Sequence, residues 1–258
     1  MKIALSIKQV PDTSDIKWTE NNTMQREGVE SIINPYDVYA TELALKLKKM
    51  YNAEISVFTM GPMQAVDMLR DVMALGCDNG ILISDRKFAG ADTYATAKTI
   101  SKAIEKVLPD FDLILCGQFA IDGDTAQTGP CIAEMLNIPQ VTFVKDVEKF
   151  ENNTLFAKRI IDEGIEFVSV ETPALLCVLK SEFEPSRAKI DGVIDAHNKS
   201  ITQLSLDDLE LEPDKVGLKG SPTYVSKAYR PEIKHTGQKY SEDVVNVLYN
   251  KINEVLSV

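Results

Sequence analysis

The segment CGQFAIDGDTAQTGP, Cys116 to Pro130, joins an apolar run, FDLIL, to a helical one, CIAEML. It spaces three glycines six apart, at Gly117, Gly123 and Gly129, and sets Asp122 and Asp124 between them. Where a parallel strand hands over to a helix, free amides of the first helical turn open into the crevice in which open α/β sheets bind ligands. Gly123 and Gly129 let backbone approach such a ligand closely. Thr125 and Thr128 add hydroxyl donors. Asp124 and Gln127 have capping-box spacing. Pro130 instead suggests a helix that starts with Gly129 as its cap. Asp122 suits the pinning of loop amides or acceptance from a ribose hydroxyl better than contact with a phosphate. The same residues also suffice for a capped turn without a ligand, since the pattern is neither a Walker loop nor GxGxxG.

The pattern repeats outward from this stretch. Ile3 to Val10 and EISVFTM (Glu54 to Met60) read as buried strands, Ile81 to Ser84 as a short one, and Phe111 to Cys116 as another. Tyr36 to Met50, MQAVDMLRDVMALG and TYATAKTISKAIEKVL carry helical spacing, the last behind a capping Asp92. Such alternation predicts a Rossmann-like open, mainly parallel α/β sheet covered on both faces. After Pro139, Val141 to Lys149, Leu155 to Ile161 and Glu166 to Glu171 predict an added antiparallel hairpin, and Ala174 to Leu179 one more strand. SEFEPSRAKIDGVIDAHNKS reads as a long surface loop or irregular helix. A linker, LEPDKVGLKGSP, leads to a C-terminal arm and helix, SEDVVNVLYNKINEVL, whose apolar stripe needs a partner.

Further candidates fall near strand ends or helix starts: Asn34 before Pro35 in SIINPYDVYATE, Met60 in TMGP, and Thr93 and Thr96 on one helical face. Read locally, Pro35 is equally the first helical residue and nothing more. The 258 residues carry 39 acidic against 28 basic side chains, a net charge of −11 that argues against nucleic acid. The four cysteines form no CxxC pair, which fits a reducing cytoplasm and signals neither zinc nor a disulfide framework. No run suggests membrane insertion or export. His197 and His235 are solitary, and no GxSxG, SGGxDS-type loop or Walker lysine is present, so a hydrolase, a metalloenzyme or an ATP-using enzyme has little support.

KQVPD, NPYD, TMGP, GADTYATA, AIDGDTAQTGP and the run AKRIIDEGIEFVSVETPALLC (Ala157 to Cys177), in this order and over nearly the whole chain, resemble the β subunit of electron transfer flavoproteins. The resemblance implies a heterodimer with a larger, FAD-bearing α subunit. It implies an adenine-nucleotide site at Ser6, Asn34, Pro35, Tyr36, Asp37 and Met60. The same site takes in Gly117, Gln118, Phe119, Ala120, Ile121, Asp122, Gly123, Asp124, Thr125, Ala126, Gln127 and Thr128. Thr93 and Thr96 would stand on the flavin or NAD side. DGDTAQTGP and GSPTYV (Gly220 to Val225) are more similar to the electron-bifurcating branch. There the β site holds an FAD that takes hydride from NADH and sends electrons to ferredoxin and, through the α-subunit FAD, to an acyl-CoA dehydrogenase-type partner. The alternative is a structural AMP in the β site, with no redox role for this chain. Gln118 and Phe119 depart from the basic residue and glutamine common in the family, so Phe119 either stacks on a ring or packs. By the same resemblance, residues 1–200 form the nucleotide-binding domain, the 182–199 loop recognises the dehydrogenase through Ile190, and residues 201–258 pack on the α subunit. Hydride transfer to a flavin needs no protein acid or base, so no catalytic residue is expected.

Overall fold

The computed structural model describes residues 1–12, 17–18, 24–25, 31–182, 184–226, 237 and 239–256. Its first half contains β1 (Lys2–Ser6), β2 (Gln9–Pro11), β3 (Lys17–Trp18), β4 (Met24–Gln25), β5 (Ser31–Ile33), α1 (Pro35–Tyr51), β6 (Glu54–Met60), α2 (Ala65–Ala74), β7 (Asn79–Ile83), α3 (Thr93–Val107), β8 (Leu113–Gly117) and α4 (Thr128–Met135). Then come β9 (Gln140–Glu151), β10 (Thr154–Ile161), β11 (Gly164–Glu171), β12 (Ala174–Val178), α5 (Ile190–Asn198), β13 (Ile201–Leu204), α6 (Gly217–Gly220) and α7 (Val244–Leu256).

The main sheet is nine-stranded, in the order β11-β10-β9-β12-β8-β1-β6-β7-β13. From β12 to β13 the strands run parallel, with Ile3 of β1 opposite both Ile55 and Leu113. Such strands must be apolar on both faces. Accordingly Ile3 and Leu5 join the core under α1 and α2, while Ala4 joins the core under α3 and α4. The expected antiparallel addition is the β9–β10–β11 meander, continuous with the same sheet. Chain direction decides where a ligand belongs. From β1 the chain builds outward through α1, β6, α2 and β7, then returns through α3 to lay β8 on the other side of β1. The loops leaving β1 and β8 therefore diverge to opposite faces, which makes their carboxyl ends the topological switch point of the sheet.

Three expectations change. The strand expected over Ile3 to Val10 stops at Ser6, because Asp37 Oδ2 accepts from Lys8 N (2.7 Å) and Lys8 O accepts from Asn34 N (2.9 Å), steering the chain into β2, which pairs with β5. The stretch 182–199, expected as a loop or irregular helix, ends in the regular helix α5. The sheet-bearing unit also runs past residue 200, where the arm was expected to begin. β13 extends the sheet beside β7, and Leu204, Leu206, Leu209 and Val216 are buried with α3. Position 183 of the expected recognition loop and residues 227–236, 238 and 257–258 of the expected arm lie outside the described residues. Among the described residues, no helix is long and apolar enough to cross a membrane.

Candidate functional site

The site assembles at the switch point from two loops and the start of α1. Pro35 occupies the first helical turn, and Asn34, extended before it, makes no side-chain cap. Freed from capping, the Asn34 amide reaches across to the loop after β8. Its Nδ2 donates to Phe119 O (2.7 Å) and its Oδ1 accepts from Ile121 N (3.3 Å). One turn on, Asp37 is buried, and its two carboxylate oxygens accept from Lys8 N and from Gly117 N (2.8 Å). A single carboxylate thus ties the chain leaving β1 to the chain leaving β8. Burial pushes that carboxyl up to about 7, opposed by the amides of Lys8 and Gly117, by Asn34 and by the Lys8 charge. Gly117 is required by the same contact, since a Cβ there would lie 2.5 Å from Asp37 Oδ1 and 2.7 Å from Tyr36 Cβ.

Beyond Phe119 the loop turns back on itself. Ala120 O accepts from Gly123 N and Asp124 N, and Asp124 and Ala126 hold left-handed φ values of 52° and 54°. A Cβ on Gly123 would meet nothing within 4 Å, so that glycine faces open space. The expected capping box is not formed. α4 begins at Thr128 without a side-chain cap, Asp124 is in the left-handed region, and Gln127 Oε1 instead accepts from Thr93 Oγ1 (3.2 Å). Gly129 is not a cap or a point of ligand approach either. It lies in the first turn of α4 with Cys177 Sγ 2.5 Å and Cys116 Sγ 2.8 Å from where its Cβ would be, so it is a close-packing residue against β8 and β12.

The sequence candidates divide accordingly. Ser6 at the end of β1, Asn34, Pro35, Tyr36, Asp37 and Gly117 through Thr128 surround the two diverging loops. Thr93 joins them through Gln127, and Thr96 follows three residues along α3, partly buried. Met60 ends the neighbouring strand β6, packed on the α3 side. Gln118 turns inward, its Oε1 accepting from Phe143 N (2.5 Å) and its backbone N donating to Val178 O (2.8 Å), so its amide N–H is not free for a ligand. Phe119 packs edge-on between Tyr36 (5.3 Å) and Phe143 (6.1 Å). Among the described residues Asp122 pairs with Lys8 Nζ, at 2.7 and 2.8 Å, rather than with a loop amide. Ile190 stands apart as the first residue of α5, 80% exposed.

Sequence reasoning missed Lys8 and the clamp on α3. Asp92 Oδ1 caps the helix through Ala95 N (3.0 Å), while its Oδ2 accepts from Thr223 N (3.0 Å) and Thr223 Oγ1 (2.7 Å), and Asp92 N donates to Ser221 Oγ (2.8 Å). Partial burial raises the Asp92 carboxyl, yet the donors from Ala95 and Thr223 outweigh it and hold the group below its usual value. Thr59, which opens the TMGP candidate, lies near the end of β6 with its Oγ1 buried and without a hydrogen-bond partner among the described residues.

Chemically, these walls suit a nucleotide. Loop backbone held by Asn34 and Asp37, left-handed turns at Asp124 and Ala126 and open space over Gly123 supply polar groups and room together. The residues present are therefore compatible with a phosphate-bearing nucleotide.

The electron transfer flavoprotein domain matches residues 21–209. The chain is 44% identical to the electron transfer flavoprotein subunit beta of Thermoanaerobacterium thermosaccharolyticum, over 100% of this chain and 98% of that one. It is 41% identical to the acryloyl-CoA reductase electron transfer subunit gamma of Anaerotignum propionicum (97% and 99% covered). It is 42% identical to the caffeyl-CoA reductase-Etf complex subunit CarD of Acetobacterium woodii (95% and 94%).

Proposed function

The chain belongs to the electron transfer flavoprotein family, as a β subunit, and on that premise we propose that its switch-point crevice holds FAD in a complex that takes hydride from NADH. The observation that carries the reading is the pair of buried side chains, Asn34 and Asp37, spent on fixing the backbone of the loop from Gly117 to Ile121 rather than on their own helix. A loop fixed in that way, with the amides of Gly117 and Ile121 taken up by Asp37 and Asn34, holds one backbone geometry before any ligand arrives, so little ordering is left to oppose binding.

When bound, FAD would supply the redox chemistry of this reading, hydride acceptance from NADH and electron transfer toward ferredoxin and the α subunit. The chain's own work is to bind and orient. Ser6 and the 117–128 loop line the nucleotide half, Asn34 and Asp37 keep the loop in place, and the Asp92–Thr223 clamp fixes the start of α3, with Thr93 and Thr96 toward the flavin or NAD side. Orientation is the chief demand, since hydride transfer needs donor and acceptor atoms about 3–3.5 Å apart. The partners in this reading are the α subunit against α7, ferredoxin, and an acyl-CoA dehydrogenase-type enzyme against α5 through Ile190, Val193 and Ile194, all of them exposed. Relatives named as subunits of acryloyl-CoA and caffeyl-CoA reductase complexes support a reductase of CoA thioesters in that last place.

Gly123→Trp tests the site without disturbing the core, because the glycine borders open space and holds no left-handed φ. The variant complex is expected to fold as wild type by circular dichroism, to lose most of its β-site nucleotide, and to lose the bleaching of that flavin by NADH. Wild-type nucleotide content in the variant would remove the site assignment.

A further inference from the structure

Lys8 lies on the rim of this crevice, just beyond the end of β1. Its main chain is fixed on both sides, its N donating to Asp37 Oδ2 (2.7 Å) and its O accepting from Asn34 N (2.9 Å). From that anchored position the side chain crosses to the opposite loop, where Nζ meets Asp122 Oδ1 at 2.7 Å and Oδ2 at 2.8 Å. Half-exposed pairs of this kind add only about 0–1 kcal/mol to stability, so stability alone gives little reason for it. Its placement gives a better one. A phosphate-bearing ligand entering here meets Asp122 and Asp124 within one exposed loop, and Lys8 is the ammonium bonded to the first of these carboxylates.

We propose that Lys8 is the charge-matching residue of the site: it cancels the Asp122 carboxylate, so that the phosphates of a nucleotide meet loop amides rather than a bare negative charge. The proposal rests on the nucleotide reading above and is independent of whether the ligand is FAD or AMP, since both carry phosphate next to adenosine. It assigns Lys8 a positioning role through Asp122 and separates the ligand's two halves. Phosphate recognition depends on Lys8, and adenosine recognition does not.

Calorimetric titration of the nucleotide-depleted αβ complex with ADP and with adenosine tests this, using wild type, Lys8→Gln, Asp122→Asn and the double variant. Lys8→Gln is expected to weaken ADP roughly three- to tenfold at low salt, less at high salt, and to leave adenosine unchanged. Asp122→Asn alone should bind ADP at least as tightly as wild type. Adding Asp122→Asn to Lys8→Gln should restore ADP binding. Wild-type ADP affinity in Lys8→Gln, equal loss of ADP and adenosine, or a double variant as weak as Lys8→Gln would each overturn the proposal. A wild-type complex that binds neither ligand would overturn the nucleotide reading itself, and this inference with it.

Discussion

Asp37 shows how one side chain can hold a site together at the cost of its own solvation. Both its oxygens accept from backbone amides, and burial has driven its carboxyl up to about 7 from an ordinary 3.8. Between about pH 4 and pH 7 the folded chain therefore binds a proton that the unfolded chain has released. The contribution of this group to stability is full below about pH 4 and is lost as pH rises through about 7. Asp37→Asn should remove that slope and leave one amide facing an NH2 group, costing about 1–3 kcal/mol. Urea midpoints of the complex at pH 5 and pH 8 check both effects: the gap between wild type and variant should be smaller at pH 8, and a gap independent of pH contradicts the assignment. Asn34 could be suspected from the sequence because Pro35 forces it out of the helix. Its target was not legible, since Phe119 and Ile121 lie more than eighty residues away and leave no local trace. The same distance hid the Lys8–Asp122 pair, separated by 114 residues.

At the scale of elements, legibility followed burial. β1, β6 and β8 are apolar on both faces and stood out, as did α3 behind its capping Asp92. β13 did not: it is an edge strand with only Leu204 buried, so no alternation marks ITQL. α5 escaped for a different reason. It packs by small residues rather than a large apolar stripe, since a Cβ on Gly192 would stand 2.3 Å from Ala74 O and Ala196 is buried beside it, while Ile190, Val193 and Ile194 are exposed. The capping box failed because a left-handed Asp124 and the Thr93–Gln127 contact displaced it. α3 offers the clearest test of an element acting on the site. Asp92→Ala should cost about 0.5–2 kcal/mol through the lost cap and release the segment at Ser221 and Thr223. Limited proteolysis should then cut near Tyr224 several times faster than in wild type; an unchanged cleavage rate would show that the clamp does not hold that segment.

On the scale of the whole molecule, the described residues form a mainly parallel sheet covered by helices, with apolar surface left over. Val245, Leu248, Tyr249, Ile252, Val255 and Leu256 of α7 are all exposed, and no described residue of that helix is buried. A helix with such a stripe requires a cover. Leu248→Glu should leave the chain's own core intact and weaken its association with the α subunit by tenfold or more, read from co-purification and ultracentrifugation; undiminished association would place the α subunit elsewhere. The central claim, that this chain carries FAD at the divergence of β1 and β8, is tested most directly by releasing and counting the cofactors of the purified αβ complex. Two FAD per heterodimer is the result the account predicts; one FAD with one AMP, or one FAD and no adenine nucleotide in this chain, would contradict it.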